Sequence, residues 1–370
     1  MRPRHDTGRR RAAAVLVTAV VALALTVVGV QAAHSAPPDE TAALQARLDG
    51  LRPGDTLRLE PRTYFHAAVL RITVPGVRID GDGATLAATN AETSAVQIDA
   101  PGVSLADLTL SAPTDGPRGG DLDEHKLVVA GDGVTLTDVT VDGSAAAGVF
   151  VDGAHDFRLT GVTVRDTLAD GIHMTNGASD GVVDRPRTER TGDDGVAVVS
   201  YGTENPCRGI TVTGAVVEGT RWGRGISVVG GRDVTVRDIA VARTSGAGVY
   251  IASEGPPYFT GSVTGVRVSG GTIAGANTDP AVVHGAVMVY AGRAGQSVTD
   301  VAISDLTVTA TAPTAQRNVA VVAGPGRIDG IRLDRIQLRD SDLQPLLVKA
   351  PAGSVQTSDF TADGRPVDVR

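Results

Sequence analysis

The sequence predicts an all-β chain folded as a single right-handed parallel β-helix of about ten coils, three strands per coil, with a short N-terminal capping helix. Three observations lead there. A strand pattern recurs every 22–35 residues along most of the chain. Glycine is abundant at 46 residues, and β-branched residues are frequent, which suits short stacked strands joined by tight turns. Aromatics make up only 3% of 370 residues, and long amphipathic helices are missing.

The elements follow in order. Arg2, Arg4 and Arg9 to Arg11 form a basic start, Ala12 to Val30 an apolar run, and small residues follow, with cleavage sites after Ala32 or Ala36. Residues 1–36 therefore read as a secretory signal peptide, with a retained membrane anchor as the alternative. Residues 37–74 read as a linker and N-terminal cap, in which Thr41 caps a helix whose Leu44, Leu48 and Leu51 share one face. Such a helix closes the open end of a solenoid. Residues 75–350 read as the β-helix and 351–370 as a C-terminal tail or cap.

Within the helix the first strand of each coil resembles Gly-Val-x-Leu, as in Gly76-Val77-Arg78-Ile79, Gly102-Val103-Ser104-Leu105 and Gly133-Val134-Thr135-Leu136. A second strand follows, as in Val139-Thr140-Val141 and Val162-Thr163-Val164. The third runs Gly148-Val149-Phe150, Gly171-Ile172-His173, Gly195-Val196-Ala197, Gly225-Ile226-Ser227, Gly248-Val249-Tyr250 and Gly285-Ala286-Val287. Alternation turns Val149, Ile172, Val196, Ile226 and Val249 inward, and Phe150, His173, Ala197, Ser227 and Tyr250 outward.

Charge narrows the function. The chain carries −8, and −12 once the +4 of residues 1–36 is set aside. Such a surface repels polyanions, and no arginine–aromatic interleaving suggests a nucleic-acid groove. Cys207 is the only cysteine, so no intramolecular disulfide forms. No nucleotide loop, zinc spacing or serine–histidine triad stands out, so no cofactor is expected, and the exported chain is expected to be a monomer free of the membrane.

The residues just before the third-strand glycines form a column: Ala147, Asp170, Asp194, Arg224, Ala247 and His284. Adjacent coils lie about 4.8 Å apart, which stacks Asp170 on Asp194 with Asp193 beside them. Clustered carboxylates retain a proton, and a carboxyl–carboxylate set is what glycoside hydrolysis needs. A calcium site and simple turn structure are the alternatives; Asp80, Asp82, Asp132, Asp142, Asp152, Asp233 and Asp300 are expected in turns. His173, Tyr201, Trp222, Arg224, Tyr250 and Glu254 are the candidate substrate-binding residues, with Tyr258 nearby and His284 structural. The connections 201–209 and 254–261 are expected to wall a cleft.

Asp170-Gly171-Ile172 and Gly192-Asp193-Asp194-Gly195-Val196-Ala197 resemble the Asn-Thr-Asp-Gly and Gly-Asp-Asp motifs of the polygalacturonase family, within the pectin-lyase-like β-helix superfamily. The Thr-Gly-Asp-Asp-Gly run is also similar to that of the α-glucan-cleaving β-helix enzymes. The resemblance implies an inverting glycoside hydrolase in which Asp193 is the general acid and Asp170 and Asp194 hold water. Departures are present: Leu168-Ala169 replaces Asn-Thr, Gly223-Arg224-Gly225 replaces Gly-His-Gly, and Tyr250-Ile251-Ala252 stands where the family's basic Arg-Ile-Lys grips uronate. A neutral polysaccharide is the expected substrate, with Tyr250 as a sugar-stacking surface. The alternatives are a polysaccharide lyase or epimerase of the same fold and a non-catalytic glycan-binding β-helix.

Overall fold

The computed structural model describes residues 37–202 and 205–367; the secretory-signal reading of residues 1–36 lies outside them. The chain winds as a right-handed parallel β-helix. One face is a sheet of eleven parallel strands, from Leu70–Ile72 to Gln344–Lys349. The other two faces carry the first and second strands of each coil, as in Thr135–Thr137 followed by Thr140–Ser144. In the C-terminal coils these two strands fuse into single long ones, such as Val263–Ala274 and Ser297–Thr309.

The repeat has a physical cause at its corner. Between the first and second strands the backbone turns through a left-handed residue, which is Asp107, Asp138, Gly161, Arg185, Gly214 and Asp238 in successive coils. Glycine adopts that conformation freely, and aspartate tolerates it through local hydrogen bonds. Of the aspartates expected in turns, Asp82, Asp233 and Asp300 do take left-handed conformations. Asp80, Asp142 and Asp152 instead lie in strands, where Asp142 is paired with Arg165 of the next coil at 2.8 Å.

The third-strand register matches the alternation read from sequence. Val149, Ile172, Val196, Ile226 and Val249 are direct partners, and so are Phe150, His173, Ala197, Ser227 and Tyr250. The inward set is fully buried in one continuous core. The preceding glycines are required by close approach. A Cβ on Gly195 would lie 2.7 Å from both the Gly225 carbonyl and a Val217 methyl, inside van der Waals contact. One coil departs: Val249 pairs with Val287, not Ala286. Gly285, at φ +85°, absorbs the extra residue, so His284 stands outside the column that holds Asp170, Asp194 and Arg224.

The ends also extend past the 75–350 span. Thr56–Arg58 already pairs with Arg78–Asp80, and Val355–Ser358 and Thr361–Ala362 still pair with Arg327–Arg339. The cap is the helix Thr41–Asp49, with Leu44 and Leu48 in the core and Leu51 half-buried. Its first turn is capped by Asp39, whose carboxylate accepts the Thr41 N–H at 2.9 Å. The Thr41 hydroxyl accepts the Ala67 N–H instead, tying the helix to the first coil.

Candidate active site

Two adjacent coils bring the carboxylates together, and the next adds Arg224. Gly171 N–H donates to the Asp194 carbonyl and Gly195 N–H to the Arg224 carbonyl, both at 2.8 Å, so Asp170, Asp194 and Arg224 stack at the entry of the third strand. Asp193 sits one residue earlier. One carboxylate oxygen from each of Asp170, Asp193 and Asp194 lies within 4.8 Å of the others. The three face a cavity of about 250 Å³ that is also lined by His173, Tyr201, Arg224, Glu254, Tyr258 and Arg118.

Each carboxylate has its own surroundings. Asp170 accepts from His173 Nδ1 at 2.6 Å and from the Asp194 N–H at 2.8 Å. Its burial raises its pKa, but the His173 hydrogen bond and charge, with Arg118 and the Asp194 N–H, outweigh burial and hold it below the usual carboxylate value. Asp194 goes the other way and is pushed up to about 7. Burial does most of this, the charges of Asp193 and Asp170 add to it, and Arg224 opposes it. Its two oxygens accept the Arg224 N–H at 2.7 Å and the Ser227 hydroxyl at 2.5 Å. Asp193 is the most exposed of the three and pairs with Arg118 at 2.8 Å.

Arg224 is spoken for. Its guanidinium lies 3.2 Å from Asp194 and 3.6 Å from Glu254, and it covers the Tyr250 ring at 4.5 Å. His284 stacks on that ring at 5.0 Å. Tyr250 is therefore only 4% exposed. It does point outward, as alternation requires, but Arg224 and His284 pack on its ring, and the expected sugar-stacking surface is not there. It supports Arg224 from beneath.

The Trp222 side chain is 59% exposed and does not line the cavity; the Trp222 backbone N–H donates to the Gly192 carbonyl at 3.1 Å, which sets the residue beside the Asp193 turn. Tyr201 and Tyr258 reach the cavity from the two connections expected to wall it, joined by antiparallel pairing of Tyr201 with Thr260. Sequence reasoning missed Arg118. It lies in the irregular segment between the strands Thr109–Ser111 and Leu127–Val129, where no repeat gives it a register.

The trio offers oxygen ligands of the kind a hard cation takes. Arg118 and Arg224 already hold guanidinium groups against two of the three, so an added cation would compete with built-in positive charge.

The family model for glycosyl hydrolases family 28 matches residues 61–350. The chain belongs to that family. Its sequence matches no curated protein. In three dimensions this family 28 chain is similar to the catalytic domain of a GH87 alpha-1,3-glucanase in complex with nigerose. The TM-score is 0.66 at 18% identity, covering 88% of this chain and 64% of that one. It is also similar to the catalytic unit of a GH87 alpha-1,3-glucanase from Streptomyces thermodiastaticus (TM-score 0.64, 17% identity, 89% of this chain and 66% of that one). A third neighbour is the A-module of a mannuronan C-5 epimerase from Azotobacter vinelandii (TM-score 0.58, 14% identity, 89% and 96%). The chain thus spans about two thirds of the glucanase domains and nearly all of the epimerase module. These likenesses establish the pectin-lyase-like β-helix fold; the family match places the chain among the glycosyl hydrolases of family 28.

Proposed function

We propose that this family 28 chain is an exported hydrolase that cleaves a neutral polysaccharide through Asp170, Asp193 and Asp194. One observation carries the reading: three carboxylates from two adjacent coils share one cavity and differ in environment. Their spacing supports it. Three structures of the alpha-1,3-glucanase domain each have one aspartate replaced by alanine, at positions separated by 23 and then 1. Asp170, Asp193 and Asp194 are separated by the same two intervals.

The roles follow from exposure and anchoring. The trio keeps one proton near neutral pH, and burial makes Asp194 its reservoir. Asp193, nearest to solvent, is the carboxyl that reaches a glycosidic oxygen and delivers the proton. Asp170 and Asp194 have both oxygens fixed by hydrogen bonds at 2.5–2.8 Å. Carboxylates tied in this way are poor at swinging onto a sugar carbon but well placed to orient and deprotonate a water. That favours direct attack by water with inversion, although carboxylates this close together are more usual in retaining enzymes.

Charge supports the substrate class. Asp170, Asp193, Asp194 and Glu254 line the cavity against two arginines, both already paired, so a polyuronate would meet net repulsion. The α-1,3-linkage named for the glucanase neighbours is the first to try.

The test is reducing-sugar release by the chain from residue 37 onward on α-1,3-glucan, other neutral glycans and polygalacturonate, beside Asp193→Asn. Release from a neutral glycan, lost at least about 10³-fold in the variant, is expected, with the β-anomer of an α-glucan product appearing first by NMR. Release from polygalacturonate alone would overturn the neutral-substrate reading, and unsaturated products would replace hydrolysis with elimination.

A further inference from the structure

Among the described residues the large apolar side chains are mostly hidden, and the exceptions are not scattered. Among the described residues the exposed large hydrophobic side chains are Leu122, Tyr201, Trp222, Tyr258 and Phe259. Tyr201 and Tyr258 line the carboxylate cavity, Phe259 adjoins Tyr258, Trp222 stands two residues before the cavity residue Arg224, and Leu122 shares a segment with Arg118. In a chain with 3% aromatics, aromatic surface left in water at one place only marks a surface that is covered when the protein works.

These residues fall on two sides of the carboxylates. Trp222 lies in register with Gly192 and Leu168, on the turn that enters the third strand. Tyr201 follows the strand Val196–Val199, and Tyr258 follows Val249–Ser253, on the turns that leave it. A four-residue strand at about 3.3 Å per residue separates the two sides by roughly 13 Å. Asp193, Asp194 and Asp170 stand between them.

Building on the hydrolase reading above, we propose that Trp222 on one side and Tyr201 with Tyr258 on the other are sugar-stacking subsites of a binding path that crosses the carboxylate trio, so that the enzyme cuts internal linkages of a neutral glycan. A pyranose ring presents an apolar C–H face and a polar hydroxyl rim. Aromatic rings take the face, and the carboxylates, Glu254 and Arg118 take the rim. A chain gripped on both sides of the reacting bond extends past the site in both directions, which an enzyme trimming chain ends does not need. Tyr250 cannot serve, being only 4% exposed, with Arg224 and His284 packed on its ring.

Trp222 is the only tryptophan in the chain, so its fluorescence reports on this path alone. The experiment titrates Asp193→Asn protein with neutral gluco- and galacto-oligosaccharides of two to six units, following Trp222 emission and heat of binding together. Emission is expected to change with the longer oligosaccharides. In the otherwise native chain, Trp222→Ala and Tyr258→Ala are expected to raise KM on long chains about tenfold more than on short ones, with Trp222→Phe retaining most affinity. Binding heat with unmoved Trp222 emission, or release of only mono- or disaccharide from chain ends at early times, overturns the inference and leaves the hydrolase reading standing. No binding and no cleavage of any member sinks both.

Discussion

Asp170 and Ile172 stand two residues apart at the entry of one strand, and they belong to two different kinds of column. The column through Ile172 is Val149, Ile172, Val196, Ile226 and Val249, the same kind of side chain in every coil, all buried. The column through Asp170 is Ala147, Asp170, Asp194, Arg224 and Ala247, apolar at both ends and charged only in the middle. Both columns are spaced by the same backbone ladder. Repetition is what the fold needs, because each coil must present the same inward surface to the next. A break in repetition confined to a few neighbouring coils is not needed by the fold, and burying two carboxylates beside a guanidinium is costly to it. The sharpest way to break the comparison is to mutate across it. Ile172→Ala is expected to cost about 2–5 kcal/mol of stability, visible as a lowered denaturation midpoint, with turnover per folded molecule kept. Asp170→Asn, nearly isosteric, is expected to keep the midpoint within a few degrees and lose about 10³-fold in kcat. Equal stability losses with equal activity losses in the two variants would erase the distinction.

The same contrast explains what could be read in advance. Inward columns were legible because period-2 alternation and the glycine before each third strand recur, and the glycine is enforced by contacts such as Gly195 against Val217. The Asp170–Asp193–Asp194 grouping was legible because coil stacking turns sequence register into distance. What covers the outward face was not. Alternation gives the direction of Tyr250 but not that Arg224 and His284 pack on its ring. His284 was displaced by one residue because Gly285 takes up an extra residue, which strand periodicity does not register. Arg118 reaches Asp193 from a segment with no repeat at all, so nothing in its sequence neighbourhood announces the contact.

The interior has one break in repetition of its own. Lys126 takes the register position that is Gly148 in the next coil, and it is fully buried. Its ammonium meets His66 Nε2 at 3.0 Å and the Ser94 carbonyl at 2.8 Å. Burial pushes Lys126 down to about 7 from an ordinary 10.5, and burial with the Lys126 charge pushes His66 down to about 4. The unfolded chain therefore binds more protons than the folded one between about pH 7 and 10.5 at Lys126. Stability should rise with pH across that window by a few kcal/mol, given about 1.36 kcal/mol per pKa unit. Lys126→Met should lose this rise, so the denaturation midpoints of the two proteins, followed from pH 7 to 10, should diverge. Parallel curves would show that Lys126 keeps its charge inside the fold.

The smallest expected effect tests how the outward column tunes its own acid. In the proposed mechanism the trio must keep one proton for Asp193 to deliver, so activity falls with rising pH as the trio releases the proton that Asp194 holds, near pH 7. Arg224 is the charge that opposes burial there, 3.2 Å from the carboxylate. Replacing it by glutamine removes that charge while the Arg224 backbone N–H, at 2.7 Å, is retained by any residue at that position. Asp194 should then hold its proton more tightly, and the alkaline limb of kcat/KM should move up by about one pH unit. The trio titrates as a unit, so the limb belongs to the group and not to one carboxyl. Activity that instead rises through pH 7 in the native chain would mean that the proton held at Asp194 blocks the reaction, and would overturn its role as the reservoir for Asp193.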